Sequence, residues 1–150
     1  HWSESKLRDQ IGAITGESHD LQWTLSTSPR TPPTTLDTLQ QLTTVKIGLA
    51  PFETVGTSWL PEKLNQSSRV WITEDSVSMV YEALTVGAAV GLIEVPRKTS
   101  SRVSRGIESL VADGLVTPFS RWRSDKNLPR PHTALDEASR CAEWIADHWL

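Results

Sequence analysis

The sequence has little of the residue types that carry disulfide and metal chemistry. It contains one cysteine, Cys141, which excludes an internal disulfide and a metal cluster built on several cysteines. Cys141 falls on the apolar stripe of the last predicted helix, where we expect a small buried side chain and not a nucleophile. The four histidines, at positions 1, 19, 132 and 148, show no metal-ligand spacing. We therefore predict no metal site.

Several motifs are also missing. The sequence contains no GxxxxGK[ST] phosphate loop, no GxGxxG dinucleotide fingerprint and no GxSxG nucleophile elbow. A Rossmann oxidoreductase is therefore disfavoured. No window reaches 18 apolar residues, so the sequence predicts no transmembrane segment.

Charge is present but unevenly distributed. The 150 residues carry a net charge of −3, yet residues 97–130 hold eight Lys and Arg side chains against three Asp and Glu, a net +5. These basic residues are Arg97, Lys98, Arg102, Arg105, Arg121, Arg123, Lys126 and Arg130. Two interpretations stay open, a solvated basic face or a positive rim that attracts phosphates. Nucleic-acid binding is disfavoured, because the total charge is acidic and no nucleic-acid motif is present.

Hydrophobic periodicity predicts alternating helices and strands. Helices are predicted over residues 4–15, from 34, over 58–66, from 77 to Gly87, over 101–113 and from 133. Strands are predicted at residues 23–27, 45–49, 69–73, 88–95 and 115–116. A Thr-x-x-Asp spacing from Thr34 to Asp37 resembles a capping box, and residues 118–132 are predicted to be a loop. This order indicates βαβ units, and therefore an α/β, Rossmann-like domain with a mostly parallel sheet.

Ligands of such sheets bind at the carboxyl ends of the strands, which selects the loops after residues 27, 49 and 72. The third loop lies within the stretch ITEDSVSMVYEA (residues 72–83). Asp75 or Ser76 can cap the following helix, while the hydroxyls of Ser76 and Ser78 can donate to a phosphate at the helix N-terminus. Glu82 lies one turn beyond Ser78, where its carboxylate can accept ribose hydroxyls. Periodicity leaves both interpretations open, a capped and solvated helix or an anion-binding site.

The first loop offers Ser28 and Arg30 for phosphate contact. Its other interpretation is a rigid turn braced by proline, with Arg30 on the surface. Of the seven tryptophans, Trp71 and Trp23 are assigned to core packing, whereas Trp122 is predicted to be an exposed lid or interface residue.

Four segments in the same order resemble one family. They are LSTSPRTP (residues 25–32), ITEDSVSMVYEA (72–83), the spacing Leu110…Gly114…Pro118-Phe119, and LDEASRCA (135–142). The sequence thereby resembles the mitochondrial fission factor family of the "elongated mitochondria" type, whose bacterial members are labelled predicted nucleoside-diphosphate-sugar epimerases. The resemblance covers about residues 20–150.

The family is similar to the C-terminal lobe of a GT-B glycosyltransferase, a three-layer αβα domain that holds a nucleoside diphosphate sugar (UDP-type). The resemblance implies phosphate contacts for Ser76, Ser78, Ser28 and Arg30, a ribose contact for Glu82, and a role for Asp75 in the loop itself. It implies an enzyme of the GT-B glycosyltransferase or sugar epimerase type, with no covalently bound cofactor. The catalytic base remains unassigned, since in GT-B proteins it commonly comes from the other lobe.

The sequence also departs from the family pattern. Pro29 replaces a first Arg, residues 57–59 lack the usual Asn-Pro-Tyr, and a Gly-rich strand end is missing. Residues 1–150 are therefore expected to be a single lobe from a two-lobe protein, with the N-terminal lobe missing. A bacterial member is expected in the cytoplasm and a eukaryotic one at the mitochondrion, with peripheral membrane association. The alternative function is a non-catalytic scaffold of the same fold that acts through protein–protein contacts.

Overall fold

The computed structural model describes residues 3–17, 20–96 and 102–131, which contain six α-helices and five strands. In chain order these are α1 (Glu4–Glu17), β1 (Trp23–Ser26), α2 (Pro33–Gln41), β2 (Ile47–Ala50), α3 (Trp59–Gln66), β3 (Arg69–Thr73), α4 (Val77–Thr85), β4 (Ala89–Ile93), α5 (Arg102–Ala112), β5 (Val116–Pro118) and α6 (Phe119–Asp125). A short 3₁₀ turn, Phe52–Thr54, follows β2. The predicted last helix, with Cys141, and all four histidines lie outside the described residues.

The described residues fall into two compact units. The β1–β2 unit contains those up to Pro61, together with Val95 and Pro96. The β3–β5 unit contains those from Glu62 to Glu94 and from Arg102 onward. The prediction that the chain is one lobe of a two-lobe protein stays a prediction.

In the β1–β2 unit, two parallel strands pair from Trp23↔Ile47 to Ser26↔Ala50. Helix α1, predicted over residues 4–15, buries Leu7, Ile11 and Ile14, which recur on one face at the spacing of an amphipathic helix. Its first residue joins α1 to α2, because the Glu4 carboxylate accepts hydrogen bonds from the hydroxyls of Thr34 (3.0 Å) and Thr35 (2.7 Å). A polar contact therefore fixes the packing of these two helices.

In the β3–β5 unit, β4 is the central strand of a three-stranded parallel sheet. All five of its residues are buried, as expected for a strand with both faces covered. Gly91 lies under the Trp71 ring, so closely that a β-carbon there would be 2.4 Å from a ring atom. Helix α4 ends as predicted, with Gly87 at a φ of 80° in the left-handed region that ends many helices.

The predicted α/β, Rossmann-like class is confirmed by these parallel strands and the helices between them. The strands form two sheets, of two and three strands. Strand β2 begins two residues later than predicted, at Ile47, because Val45 is almost fully exposed and makes no packing contact that would favour a strand.

Two local predictions were wrong. No capping box forms at Thr34, since α2 begins at Pro33 and its N-cap, Pro32, has no side-chain hydrogen bond. Proline already fixes the backbone of a first helical turn, and the Thr34 hydroxyl is directed to Glu4 instead. The predicted loop at residues 118–132 contains helix α6, which forms because Phe119 and Trp122, three residues apart, are both buried.

Candidate functional site

Helix α4 follows β3 after the short loop of residues 74–76, and the side chain of its N-cap residue does not cap its N-terminus. The Ser76 N–H donates to the Thr73 carbonyl (2.9 Å), and the Ser76 carbonyl accepts the first helical hydrogen bond, from Val80 (3.1 Å). Ser76 is therefore the N-cap residue, yet its side chain makes no capping hydrogen bond. Its hydroxyl lies 3.3 Å from the Thr73 hydroxyl instead. The first-turn N–H groups consequently lack the side-chain partner that a serine N-cap usually supplies.

The other predicted residues of this stretch are on the surface. Asp75, Ser78 and Glu82 are exposed, while Val80 is buried against the sheet with its neighbours Ala83 and Leu84. Ser78 and Glu82 lie four residues apart and thus on the same side of α4. The structure brings a hydroxyl and a carboxylate together on the exposed face of a helix, near its N-terminus.

Ser28 and Arg30 lie in a tight turn at the end of β1. The Thr31 N–H donates to the Ser28 carbonyl (3.0 Å), and the Ser28 N–H donates to the Thr31 hydroxyl (2.9 Å). The Arg30 N–H donates to the Ser28 hydroxyl (3.3 Å). These bonds fix the turn and leave the Arg30 side chain exposed. Both sequence interpretations of this loop, a rigid turn and a phosphate contact, are compatible with this geometry.

The loops after β1 and β2 are tied together at the edge where both strands end. The Phe52 N–H donates to the Thr27 hydroxyl over 2.9 Å. The sequence selected the loop after residue 49 as a ligand loop but assigned no residue in it. The sequence signal that could have found Phe52 is its residue type, because it is one of only two phenylalanines and lies in the loop after a predicted strand.

A protein-family model with the description mitochondrial fission ELM1 matches residues 1–149. The chain belongs to the mitochondrial fission ELM1 family. The resemblance stated from its four sequence segments is thereby confirmed. No significant match was found among curated proteins or among solved structures. The family description specifies neither a ligand nor a reaction, so the six site residues of this ELM1-family chain stay predictions.

Those residues form two groups in this member of the mitochondrial fission ELM1 family. Asp75 and Ser76 lie in the loop before α4, and Ser78 and Glu82 lie on its first two turns, in the β3–β5 unit. Ser28 and Arg30 share one turn of the β1–β2 unit. Each group can be tested by itself.

The prediction that Trp122 is exposed was wrong for this ELM1-family chain. Trp122 is only 5% exposed and packs in a cluster with Trp71 (ring centroids 5.3 Å apart) and Phe119 (5.8 Å). The Lys126 ammonium lies 4.5 Å from the Trp122 ring centroid. The reason is that α6 directs Trp122 toward the sheet and places Arg121 and Arg123, on either side of it, in solvent.

In the basic segment of residues 97–130, all the Lys and Arg side chains that the structure describes are exposed. They are Arg102, Arg105, Arg121, Arg123, Lys126 and Arg130. Exposure is compatible with a solvated face and with an anion-attracting rim, so both interpretations remain. Arg97 and Lys98 lie outside the described residues.

Among the residues that the structure describes, no group of three or more His, Cys, Asp or Glu side chains could hold a metal ion. No helix in the same residues is both long and apolar enough to cross a membrane.

Proposed function

We propose that this chain binds a nucleoside diphosphate sugar, as the donor-nucleotide lobe of a glycosyltransferase-like or epimerase-like protein. The observation that supports this most is the N-terminus of α4. It follows a strand whose Ile72 is buried, its N-cap side chain makes no capping bond, and Ser78 and Glu82 lie exposed on its first turns. Membership of the mitochondrial fission ELM1 family is consistent with this function and does not specify it.

The phosphates are assigned to the first turn of α4. A helix N-terminus presents unpaired N–H groups and a partial positive charge of about half a unit. The N–H groups of the first turn can donate to phosphate oxygens, and the hydroxyls of Ser76 and Ser78 add two donors. Asp75 would repel a phosphate, so we assign it to the loop and not to an anion contact.

The ribose is assigned to Glu82. An α-helix rises 1.5 Å per residue, so Glu82 lies about 6 Å farther along the axis than Ser78. A carboxylate at that distance can accept hydrogen bonds from two neighbouring ribose hydroxyls while the phosphates occupy the first turn. Separately, within the β1–β2 unit, Arg30 and the hydroxyl of Ser28 are proposed as a phosphate-binding group.

The proposal is limited to binding the donor. In a GT-B-like arrangement the acceptor and the general base come from the other lobe, and we propose that such an N-terminal lobe is this chain's partner. A nucleoside diphosphate sugar of UDP type is the proposed ligand, with no further cofactor. We place the protein in the cytoplasm if it is bacterial and at the mitochondrion, with peripheral membrane association, if it is eukaryotic.

A thermal-shift panel of nucleoside diphosphates and their sugar conjugates tests this function. A ligand at one hundred times its Kd stabilises the native state by about 2.7 kcal/mol, which raises the Tm by about 8 °C in a chain of this size. We expect Ser78→Ala and Glu82→Gln to reduce or abolish that shift. Ser109→Ala and Glu62→Gln are matched controls, because Ser109 and Glu62 are exposed residues on other helices of the same unit.

The second candidate is a non-catalytic scaffold that acts through protein–protein contacts. It is favoured by the exposed basic side chains of α5 and α6, which give an acidic partner a surface to bind. A pull-down distinguishes the two candidates. The second candidate replaces the first if the chain binds no nucleotide and captures a partner in a particular pattern. That capture would survive Glu82→Gln but be lost when Arg121 and Arg123 are replaced by Ala.

A further inference from the structure

Phe52 is an aromatic side chain that the fold leaves in solvent. Of the described residues, only Val45, Phe52 and Val86 are large hydrophobic side chains with high exposure, and Phe52 is the only ring among them, 45% exposed. It begins the 3₁₀ turn after β2, at the edge of the β1–β2 sheet where Ser26 and Ala50 end paired strands. This is the edge at which parallel α/β sheets bind ligands.

The backbone that carries Phe52 is fixed. Its N–H donates to the Thr27 hydroxyl over 2.9 Å, which joins the loop after β2 to the loop after β1. Thr54 closes the turn, since its N–H (3.0 Å) and its hydroxyl (2.8 Å) both donate to the Pro51 carbonyl. A ring presented by a fixed turn loses little backbone freedom when a ligand stacks on it.

A cationic residue lies in the loop that follows β1 at the same edge. The turn of Ser28–Thr31 begins one residue after Thr27, so the Thr27–Phe52 hydrogen bond places the start of that turn beside the Phe52 backbone. Neighbouring strands lie about 4.8 Å apart, well within the reach of an arginine side chain. Arg30 is exposed on this turn and its guanidinium suits a planar or phosphate anion.

The surroundings of Phe52 argue against a protein interface. The exposed neighbours that follow it are mainly polar or glycine: Glu53, Thr54, Gly56, Thr57 and Ser58. One ring among polar residues is too small to form the continuous apolar patch typical of protein-binding surfaces. It is large enough to stack on one face of a planar ring.

We infer that Phe52 stacks on the base of a nucleotide and that Arg30 binds a phosphate of the same nucleotide. The choice of a nucleotide rests on the proposed function. The assignment of Phe52 goes beyond it, because none of the six predicted site residues is assigned to the base. The placement of Phe52 and Arg30 is observed within the β1–β2 unit.

The test is equilibrium binding to the intact chain by calorimetry, with the diphosphates of uridine, adenosine, guanosine and thymidine, and with inorganic pyrophosphate. We expect Phe52→Ala to weaken binding of the preferred nucleotide about tenfold, within the range of one base–aromatic stack, and to leave pyrophosphate binding unchanged. Phe52→Trp should restore nucleotide affinity. Arg30→Ala should weaken both ligands. Val45→Ala is the matched control, an exposed apolar residue of the same unit that lies before β2 and not after it.

The possible outcomes separate this inference from the proposed function. The inference is overturned if Phe52→Ala leaves nucleotide affinity unchanged, or if it weakens pyrophosphate binding as much as nucleotide binding. The assignment of α4 then still stands if Glu82→Gln weakens nucleotide binding. Affinity that depends on Phe52 and not on Glu82 or Ser78 supports the inference and contradicts the assignment of α4. A wild-type chain that binds none of the nucleotides overturns both.

Discussion

The two units of this chain are built with different interactions. In the β3–β5 unit every residue of β4 is buried, whereas β1 alternates between partly buried and exposed residues. The largest side chains with less than 2% exposure are Leu84, Leu92, Ile107, Val80, Val90, Val116 and Thr35. Six of these seven are aliphatic and belong to the β3–β5 unit, while the one in the β1–β2 unit is a threonine.

Specific polar contacts shape the β1–β2 unit. The Glu4 carboxylate joins α1 to α2, the Thr27 hydroxyl joins the loops after β1 and β2, and Ser28 and Thr31 fix a turn. Hydrophobic burial contributes about 25 cal/mol per Å² and has no direction, whereas a hydrogen bond contributes about 1 kcal/mol and fixes a geometry. We infer that the β3–β5 unit contributes most of the stability, and that the polar contacts of the β1–β2 unit mainly fix the shape of the edge where β1 and β2 end.

The largest effect on this comparison is expected from Leu84→Ala. Leu84 has no exposed surface in α4, so the substitution leaves a cavity and should lower the free energy of unfolding by about 3 kcal/mol. Urea unfolding followed by tryptophan fluorescence measures it. Val86→Ala, an exposed position two residues later, should change stability by less than about 0.5 kcal/mol. Equal effects of the two would mean that burial in this unit does not determine stability.

Gly91→Ala should have the next largest effect. The added methyl group would lie 2.4 Å from the Trp71 ring, which is itself held by Trp122 and Phe119. Moving that cluster should cost about 2 kcal/mol, as overpacking does in other cores.

Gly106→Ala is the matched control for Gly91→Ala in the same unit. A methyl group there meets nothing within 4 Å, and it should stabilise α5 by up to about 1 kcal/mol because alanine favours a helix. Opposite signs for the two substitutions are therefore expected in the same unfolding assay. A Gly91→Ala chain as stable as the wild type would show that the aromatic cluster adapts at no cost.

The difference in burial between the two units explains which elements could be predicted from the sequence. The β3–β5 unit was predictable because burial leaves a periodic pattern: β3 was predicted with its observed bounds, and Gly87 ends α4 as expected. Trp122 was assigned wrongly because its flanking arginines suggested exposure, and only the docking of α6 on the sheet buries it.

The candidate site was predictable only as a set of residue types. The sequence places Ser76, Ser78 and Glu82 at the start of a helix, and the exposure of Ser78 and Glu82 agrees with that placement. It could not show that the Ser76 hydroxyl is directed to Thr73, because a side-chain rotamer depends on the loop geometry. The Thr27–Phe52 contact was equally unpredictable, since its partners are 25 residues apart.

In the β1–β2 unit, Glu4→Gln should have a smaller effect than either core substitution. It replaces the carboxylate that accepts two hydroxyl donors with a neutral amide and should lower the free energy of unfolding by about 1.5 kcal/mol. Asp9→Asn, which removes an exposed charge from the same helix, should change it by less than about 0.5 kcal/mol. A loss as large as that of Leu84→Ala would contradict the conclusion that stability lies mainly in the β3–β5 unit.

The smallest effects on stability should come from the candidate ligand residues themselves. Ser78, Glu82 and Phe52 are exposed, so Ser78→Ala, Glu82→Gln and Phe52→Ala should each change the free energy of unfolding without ligand by less than about 0.5 kcal/mol. The Tm of each variant alone, compared with its Tm in the presence of nucleotide, separates the two roles. Replacing a residue that acts only in binding should change only the Tm measured with nucleotide, because ligand binding adds to stability independently of the core. A variant that lowers the first value as much as Glu4→Gln does would be a structural residue, and its loss of ligand could then no longer be attributed to a lost contact.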